Sequence, residues 1–141
     1  MAKKKVFVSF DYDDDKNYRN LLSAWDANPN FDFFMSDLTP GEINSWDVSR
    51  IKAVLTTAIK KATYTLVIVG KNANVRHPKS YEIGYKNWIN FEIAKSKENG
   101  NKLVGVKIDR SYESPDELLN SGASWAMSFT KEAILKALSD A

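Results

Sequence analysis

The chain alternates short, mainly apolar runs with longer segments whose apolar residues recur every three or four positions. Val6–Phe10 (VFVSF) is β-branched and aromatic and is followed at once by the acidic stretch Asp11–Asp15, the pattern of a buried strand ending in a polar loop. Lys16–Trp25 then carries Tyr18, Leu21, Leu22 and Trp25 at helical spacing. Phe31–Met35 is a second apolar run behind the turn-like Asn28-Pro29-Asn30, and the loop Ser36–Gly41 after it closes on a Pro-Gly pair that stops regular structure. Ser45 is placed to cap a helix over Trp46–Ala62, with Val48, Ile51, Leu55 and Ile59 spaced for one buried face. Tyr64–Val69 (YTLVIV) is apolar on both faces, as the middle strand of a helix-covered parallel sheet must be, and Gly70 ends it.

The second half continues the alternation. A loop over Lys71–Ser80 leads to a predicted helix from about Ile83 to Glu98, containing Trp88, Phe91, Glu92 and Ala94 and stopped by Gly100. Leu103–Ile108 (LVGVKI) reads as another buried strand, and Ser114-Pro115-Asp116-Glu117 as a helix start with proline near its first turn. Ala126–Phe129 reads as a last short strand, and Thr130 as the cap of a helix running through Leu138. Strands alternating with helices five times predict one α/β domain over residues 1–141. The expected form is a doubly wound, parallel, five-stranded sheet in flavodoxin-like order 2-1-3-4-5, with helices on both faces.

Composition narrows the chemistry. A chain of 141 residues has room for one core. It contains no cysteine, which excludes disulfides, thiolate metal sites and cysteine nucleophiles, and its single histidine, His77, excludes any site built on two imidazoles. The net charge is only +2 and the basic residues are scattered, so neither a nucleic-acid nor a membrane partner is expected. No apolar run approaches the ~18 residues that cross a bilayer, and no secretion signal is evident, so a cytoplasmic location is expected.

In a doubly wound sheet, ligands bind beyond the carboxyl ends of the strands where strand order reverses, here between strands one and three. The residues delivered there are Ser9, Phe10, Asp11 and Tyr12 from the first strand, and Gly70, Lys71 and Asn72 from the third. A phosphoryl-accepting receiver needs an aspartate where this chain has Val69-Gly70, and a flavin phosphate would be repelled by Asp11–Asp15. Neither a dinucleotide glycine fingerprint nor a Walker loop occurs. The run Asp13-Asp14-Asp15 has two readings, a magnesium site or acidic residues favouring the N-terminus of the next helix; the second is preferred and no metal is expected.

Three local patterns occur in order: Phe10-Asp11 closing the first strand in VFVSFDYDD, the loop Ser36-Asp37-Leu38-Thr39-Pro40-Gly41 after the second, and Trp88-Ile89-Asn90-Phe91-Glu92 on the helix after the third. Together they resemble a Toll/interleukin-1 receptor (TIR) domain, in particular the bacterial TIR-like branch that includes the Thoeris anti-phage proteins. The resemblance spans about Lys4 to Ile108. The family's loop after strand two often reads Arg-Asp-x-x-Pro-Gly and mediates self-association. Asp37, Pro40 and Gly41 match it, whereas Ser36 replaces the arginine. Enzymatic members carry a glutamate four residues after a tryptophan, matched by Trp88 and Glu92, while the family's late Phe-Trp pair has no counterpart, since Trp125 and Phe129 are not adjacent.

What the resemblance implies is cleavage of the nicotinamide–ribose bond of NAD⁺, with Glu92 as the catalytic carboxylate and Ser9, Phe10, Asp11, Lys71, Asn72 and Trp88 around the substrate. No cofactor is implied beyond NAD⁺ itself as substrate. The implied partners are further copies of the chain on activation and, for a cyclic ADP-ribose product, a separate nucleotide-sensing effector. Each residue keeps an ordinary alternative. Trp88 and Phe10 suit the core, Asp11 suits a helix cap, Glu92 suits the solvated side of its helix, and Arg76 and His77 suit a solvated loop or a substrate-phosphate contact. A non-enzymatic interaction module built on the loop Asp37–Gly41 is the alternative for the whole domain, and a small nucleotide-binding protein of flavodoxin-like fold is a third.

Overall fold

The computed structural model describes residues 4–26, 33–36 and 47–141. Five parallel strands, β1 (Lys4–Ser9), β2 (Phe33–Ser36), β3 (Tyr64–Val69), β4 (Lys102–Lys107) and β5 (Ser124–Ala126), form one sheet in the order β2-β1-β3-β4-β5. The order reverses between β1 and β3, where Ser9 stands level with Val67. Helices α1 (Tyr12–Asp26), α2 (Val48–Lys60), α3 (Ser80–Ile83), α4 (Trp88–Glu98) and α5 (Lys131–Asp140) fill the connections, with a 3-10 turn at Asp116–Leu118.

Side-chain alternation along the strands separates two core layers. Val6, Val8, Leu66, Ile68, Val104 and Val106 pack with Leu22 of α1 and Ile134, Ala137 and Leu138 of α5. Phe7 faces the other way, onto Ile51, Leu55 and Ile59 of α2 and Phe91 of α4. Val67 and Val69 share that second face with Ile89 and Ile93 of α4. Both faces are therefore covered, which is why YTLVIV is apolar from Leu66 to Val69, with Thr65 as a buried polar side chain.

Several boundaries differ from the sequence expectation. The helix expected from Ile83 to Glu98 is two helices. Gly84, at φ 85°, ends α3 with its N–H on the Ser80 carbonyl, and Asn87 starts α4 by accepting the Asn90 N–H on its side chain at 2.9 Å. Helix α2 begins at Val48 with Asp47 as its cap, and the expected cap Ser45 lies outside the described residues. Pro115 precedes a 3-10 turn rather than an α-helix. The last strand is Ser124–Ala126 instead of Ala126–Phe129, with the Trp125 ring set where a side chain on Gly105 would stand. Thr130 caps α5 as expected, accepting the Ala133 N–H at 3.2 Å.

Candidate functional site

Helix α4 is buried almost all round. Ile89, Phe91, Ile93 and Ala94 supply its apolar contacts, but Asn90, Glu92 and Ser96 are buried as well and need polar partners. Asn90 is satisfied: its Nδ2 donates to Asn74 Oδ1 and Asn87 Oδ1, and its Oδ1 accepts the Glu117 N–H at 2.9 Å. Ser96 is satisfied by Thr65 Oγ1 at 2.6 Å and by the Glu92 carbonyl at 2.8 Å. Glu92 is half satisfied. Its Oε1 accepts the Ser9 hydroxyl at 2.9 Å, and its Oε2 is buried without a hydrogen-bond partner.

This pair is the chemical feature of the sheet's C-terminal edge. Ser9 is the last residue of β1, and both Ser9 and Glu92 are 0 % exposed. Burial pushes the Glu92 carboxyl well above its ordinary value, and the Ser9 hydrogen bond pulls it back only in part. The group therefore holds its proton under conditions in which an exposed glutamate is ionised. Glu92 on the solvated side of its helix is excluded by this geometry: the side chain points inward, across the sheet edge. Leaving a carboxyl oxygen buried and unbonded costs on the order of 1–3 kcal/mol, a cost that clusters at functional sites.

The other site candidates lie on several elements, and not all of them face that pair. Trp88, one helical turn before Glu92, is half-buried, with its ring edge-on to Phe91 at 5.6 Å and to His77 at 6.5 Å. Phe10 packs into the core layer under α1 and α5, with the Arg19 guanidinium 5.7 Å from its ring centre. Asp11 precedes α1, and its carbonyl accepts the Asp15 N–H at 2.8 Å. Lys71 is exposed and Asn72 half-buried in the turn after β3. Asp37, Pro40 and Gly41 lie outside the described residues.

Two features were missed by sequence reasoning. Asp15, read there as part of an acidic helix start, is buried, and its carboxylate occupies the place a side chain at position 70 would take. Gly70 therefore does more than end β3: it lets an acidic group settle against the end of that strand. A glycine directly after an apolar strand was the available signal. The second feature is a set of asparagines. Asn87 donates to the carbonyls of Ala73 and Val75 at 2.9 and 3.0 Å, while Asn74 holds Asp116 by two bonds of 3.0 and 3.1 Å. The Asn87 bonds fasten the loop after β3 to the start of α4, and the Asn74 bonds fasten it to the 3-10 turn at Asp116. Among the described residues no group of three or more acidic or histidine side chains is arranged to hold a metal ion.

An open cavity of about 600 Å³ lies away from Ser9 and Glu92, between α2 and α4, lined by Lys52, Thr56, Tyr85, Phe91 and Lys95 among others. Neither Ser9 nor Glu92 lines that cavity, and both are 0 % exposed.

The family model for the TIR-like domain of the Thoeris protein ThsB matches residues 7–113. The chain belongs to this TIR-like family. That match begins within β1, runs past β4 and takes in every site candidate named above. No curated protein sequence matches the chain. Among solved structures it is similar to the TIR domains of the activated Roq1 resistosome, at 19 % identity and a TM-score of 0.48, over 74 % of this chain and 57 % of that one. It is also similar to a 2-desoxiribosyltransferase from Leishmania mexicana, at 13 % identity and a TM-score of 0.50, over 75 % of this chain and 65 % of that one. A 3-dehydroquinate dehydratase-like protein from Bifidobacterium longum is similar over 99 % of this chain and 94 % of that one, at 13 % identity and a TM-score of 0.46. The chain thus spans less than two thirds of the first two. At these identities the likenesses concern the fold alone. Among the described residues no helix is long and apolar enough to cross a membrane.

Proposed function

We propose that this TIR-like domain cleaves the bond between nicotinamide and ribose in NAD⁺, with Glu92 as the catalytic carboxyl. The observation that carries the reading is the buried Ser9–Glu92 pair at the C-terminal edge of β1, with one carboxyl oxygen left without a partner. In this reaction the C1′–N bond breaks, its electron pair leaves with nicotinamide, and positive charge develops on the ribose. Nicotinamide departs neutral and needs no proton. An ionised carboxylate beside the sugar holds its hydroxyls and stabilises the oxocarbenium-like transition state. Attack by water at C1′ then gives ADP-ribose and a proton. With water excluded, capture by a nucleophile of the same nucleotide gives a cyclic ADP-ribose and likewise releases a proton. Such a product is a suitable signal for a separate nucleotide-sensing effector in anti-phage defence, and association of several copies through the loop Asp37–Gly41 is the proposed trigger.

The burial of Glu92, which raises its carboxyl pKa, defines what activation has to accomplish. Ionisation of Glu92 requires water or substrate hydroxyls at its Oε2, so the edge at Ser9 has to open before catalysis. The same complete burial favours a second reading, a non-enzymatic TIR-like interaction module in which Glu92 is only a core residue. Nicotinamide release at high protein concentration, compared between wild type and Glu92→Gln, separates the two. Turnover abolished by the substitution, with fold and association retained, supports the enzyme. No turnover at any concentration supports the module, and turnover surviving in Glu92→Gln removes Glu92 from the mechanism.

A further inference from the structure

The loop between β3 and α4 has a charge and a geometry that Glu92 does not use. Between residues 71 and 88 there are four cations, Lys71, Arg76, Lys79 and Lys86, against one acid, Glu82. His77 is fixed at the centre of this segment by three bonds. Its N–H donates to the Lys86 carbonyl at 2.8 Å, its carbonyl accepts the Ser80 N–H at 3.0 Å, and its Nδ1 accepts the Lys79 N–H at 2.9 Å. Because Nδ1 is an acceptor here, the neutral ring carries its proton on Nε2. The ring is held edge-on to Trp88, which lies on the same side of α4 as Glu92 and about 6 Å along the axis from it.

Ser9, Glu92, Trp88 and His77 therefore follow one another from the sheet edge outward, with Arg76 and Lys79 exposed at the far end. Lys86 is partly neutralised by Asp116 at 3.6 Å, and Arg76 makes only a long contact, 3.4 Å, to Ser80 Oγ. We propose that this segment is the diphosphate subsite for the dinucleotide, with Arg76 and Lys79 supplying charge and His77 Nε2–H a directional donor next to Trp88. The proposal deepens the NAD⁺-cleaving reading of Glu92 and rests on it. A dinucleotide whose ribose reaches Glu92 and whose nicotinamide or ribose face lies on Trp88 carries its two phosphates outward, where these side chains stand. Guanidinium and ammonium groups bind phosphate oxygens through charge-assisted hydrogen bonds, and a ring already locked in place loses little entropy on binding.

The test compares NAD⁺ with nicotinamide riboside, which has the same scissile bond and no phosphate. In the double variant Arg76→Ala, Lys79→Ala, KM for NAD⁺ should rise at least about tenfold with kcat within about twofold, while riboside cleavage is unchanged. His77→Gln, which keeps a donor but loses the fixed ring, should raise KM for NAD⁺ less than the double variant does. An unchanged KM for NAD⁺ in the double variant, or an equal loss on both substrates, overturns the subsite and leaves the NAD⁺ reading intact. If the wild type proves inactive on both substrates, that reading fails, and titration with ADP-ribose decides the subsite by itself. Saturable binding weakened by about tenfold or more in the double variant supports it, and equal binding, or none, overturns it.

Discussion

Replacing Glu92 by glutamine removes the ionisable group while keeping its shape, and the effect on stability depends on pH in a direction that follows from burial. In the folded protein the Glu92 carboxyl titrates well above its ordinary value of 4.5, and desolvation is the larger cause. In the unfolded chain it titrates normally. Between those two values the folded state holds a proton that the unfolded state has released, so stability falls as pH rises. The slope is about 1.4 kcal/mol per pH unit across that window, flat below the unfolded value and flat again above the folded one. Glu92→Gln does not titrate there, and every other ionisable group is shared. Urea unfolding of both proteins at a series of pH values from 4 upward should therefore give a difference curve in which the variant gains on the wild type as pH rises. A pH-independent cost of seating the amide shifts this curve without changing its slope. Parallel stability curves for the two proteins would refute the argument, because they would mean that the folded carboxyl titrates like an exposed one.

Ser9→Ala leaves both Glu92 oxygens without a side-chain partner and should cost ~1–3 kcal/mol; in a Glu92→Leu background most of that cost should vanish, which a double-mutant cycle measures. If Glu92 acts as an ionised carboxylate, kcat/KM for NAD⁺ should rise with pH and level off only above the usual carboxylate range, and a profile falling over that interval would exclude the role. Gly70→Ala places a methyl group on the Asp15 carboxylate and should destabilise by ~1–3 kcal/mol, read as a lowered urea midpoint, with relief in Gly70→Ala, Asp15→Ala.

Much of the fold was legible because both periods of the chain are clean. Tyr64–Val69 reads as one nearly continuous apolar run and matches β3 at both ends, and the spacing of Ile51, Leu55 and Ile59 marks the inner face of α2. Helix α4 was read less well for a physical reason. Apolar periodicity carries through Ile83 to Glu98, whereas the break depends on a left-handed Gly84 and on the asparagine cap at Asn87, both local backbone events beneath the apolar pattern. Glu92 was singled out by its spacing from Trp88, yet its position between Phe91 and Ile93 was equally consistent with a solvated face.

Alternating apolar runs and the missing cysteines were sufficient for the α/β class and the absence of thiol chemistry, which follow from periodicity and residue type, properties of short stretches of chain. The candidate carboxyl came from the Trp88–Glu92 spacing through its resemblance to TIR domains. Whether that carboxyl meets water or a hydroxyl depends on a residue 83 positions away, Ser9, which reaches it only because β1 lies beside β3 and α4 crosses their shared face. The same holds for Asp15 against Gly70 and for Asn87 and Asn74, which fasten the loop to α4 through the Ala73 carbonyl and Asn90. Protonation and burial are set by neighbours brought together across the sheet, so tertiary packing alone decided the chemical state of the site.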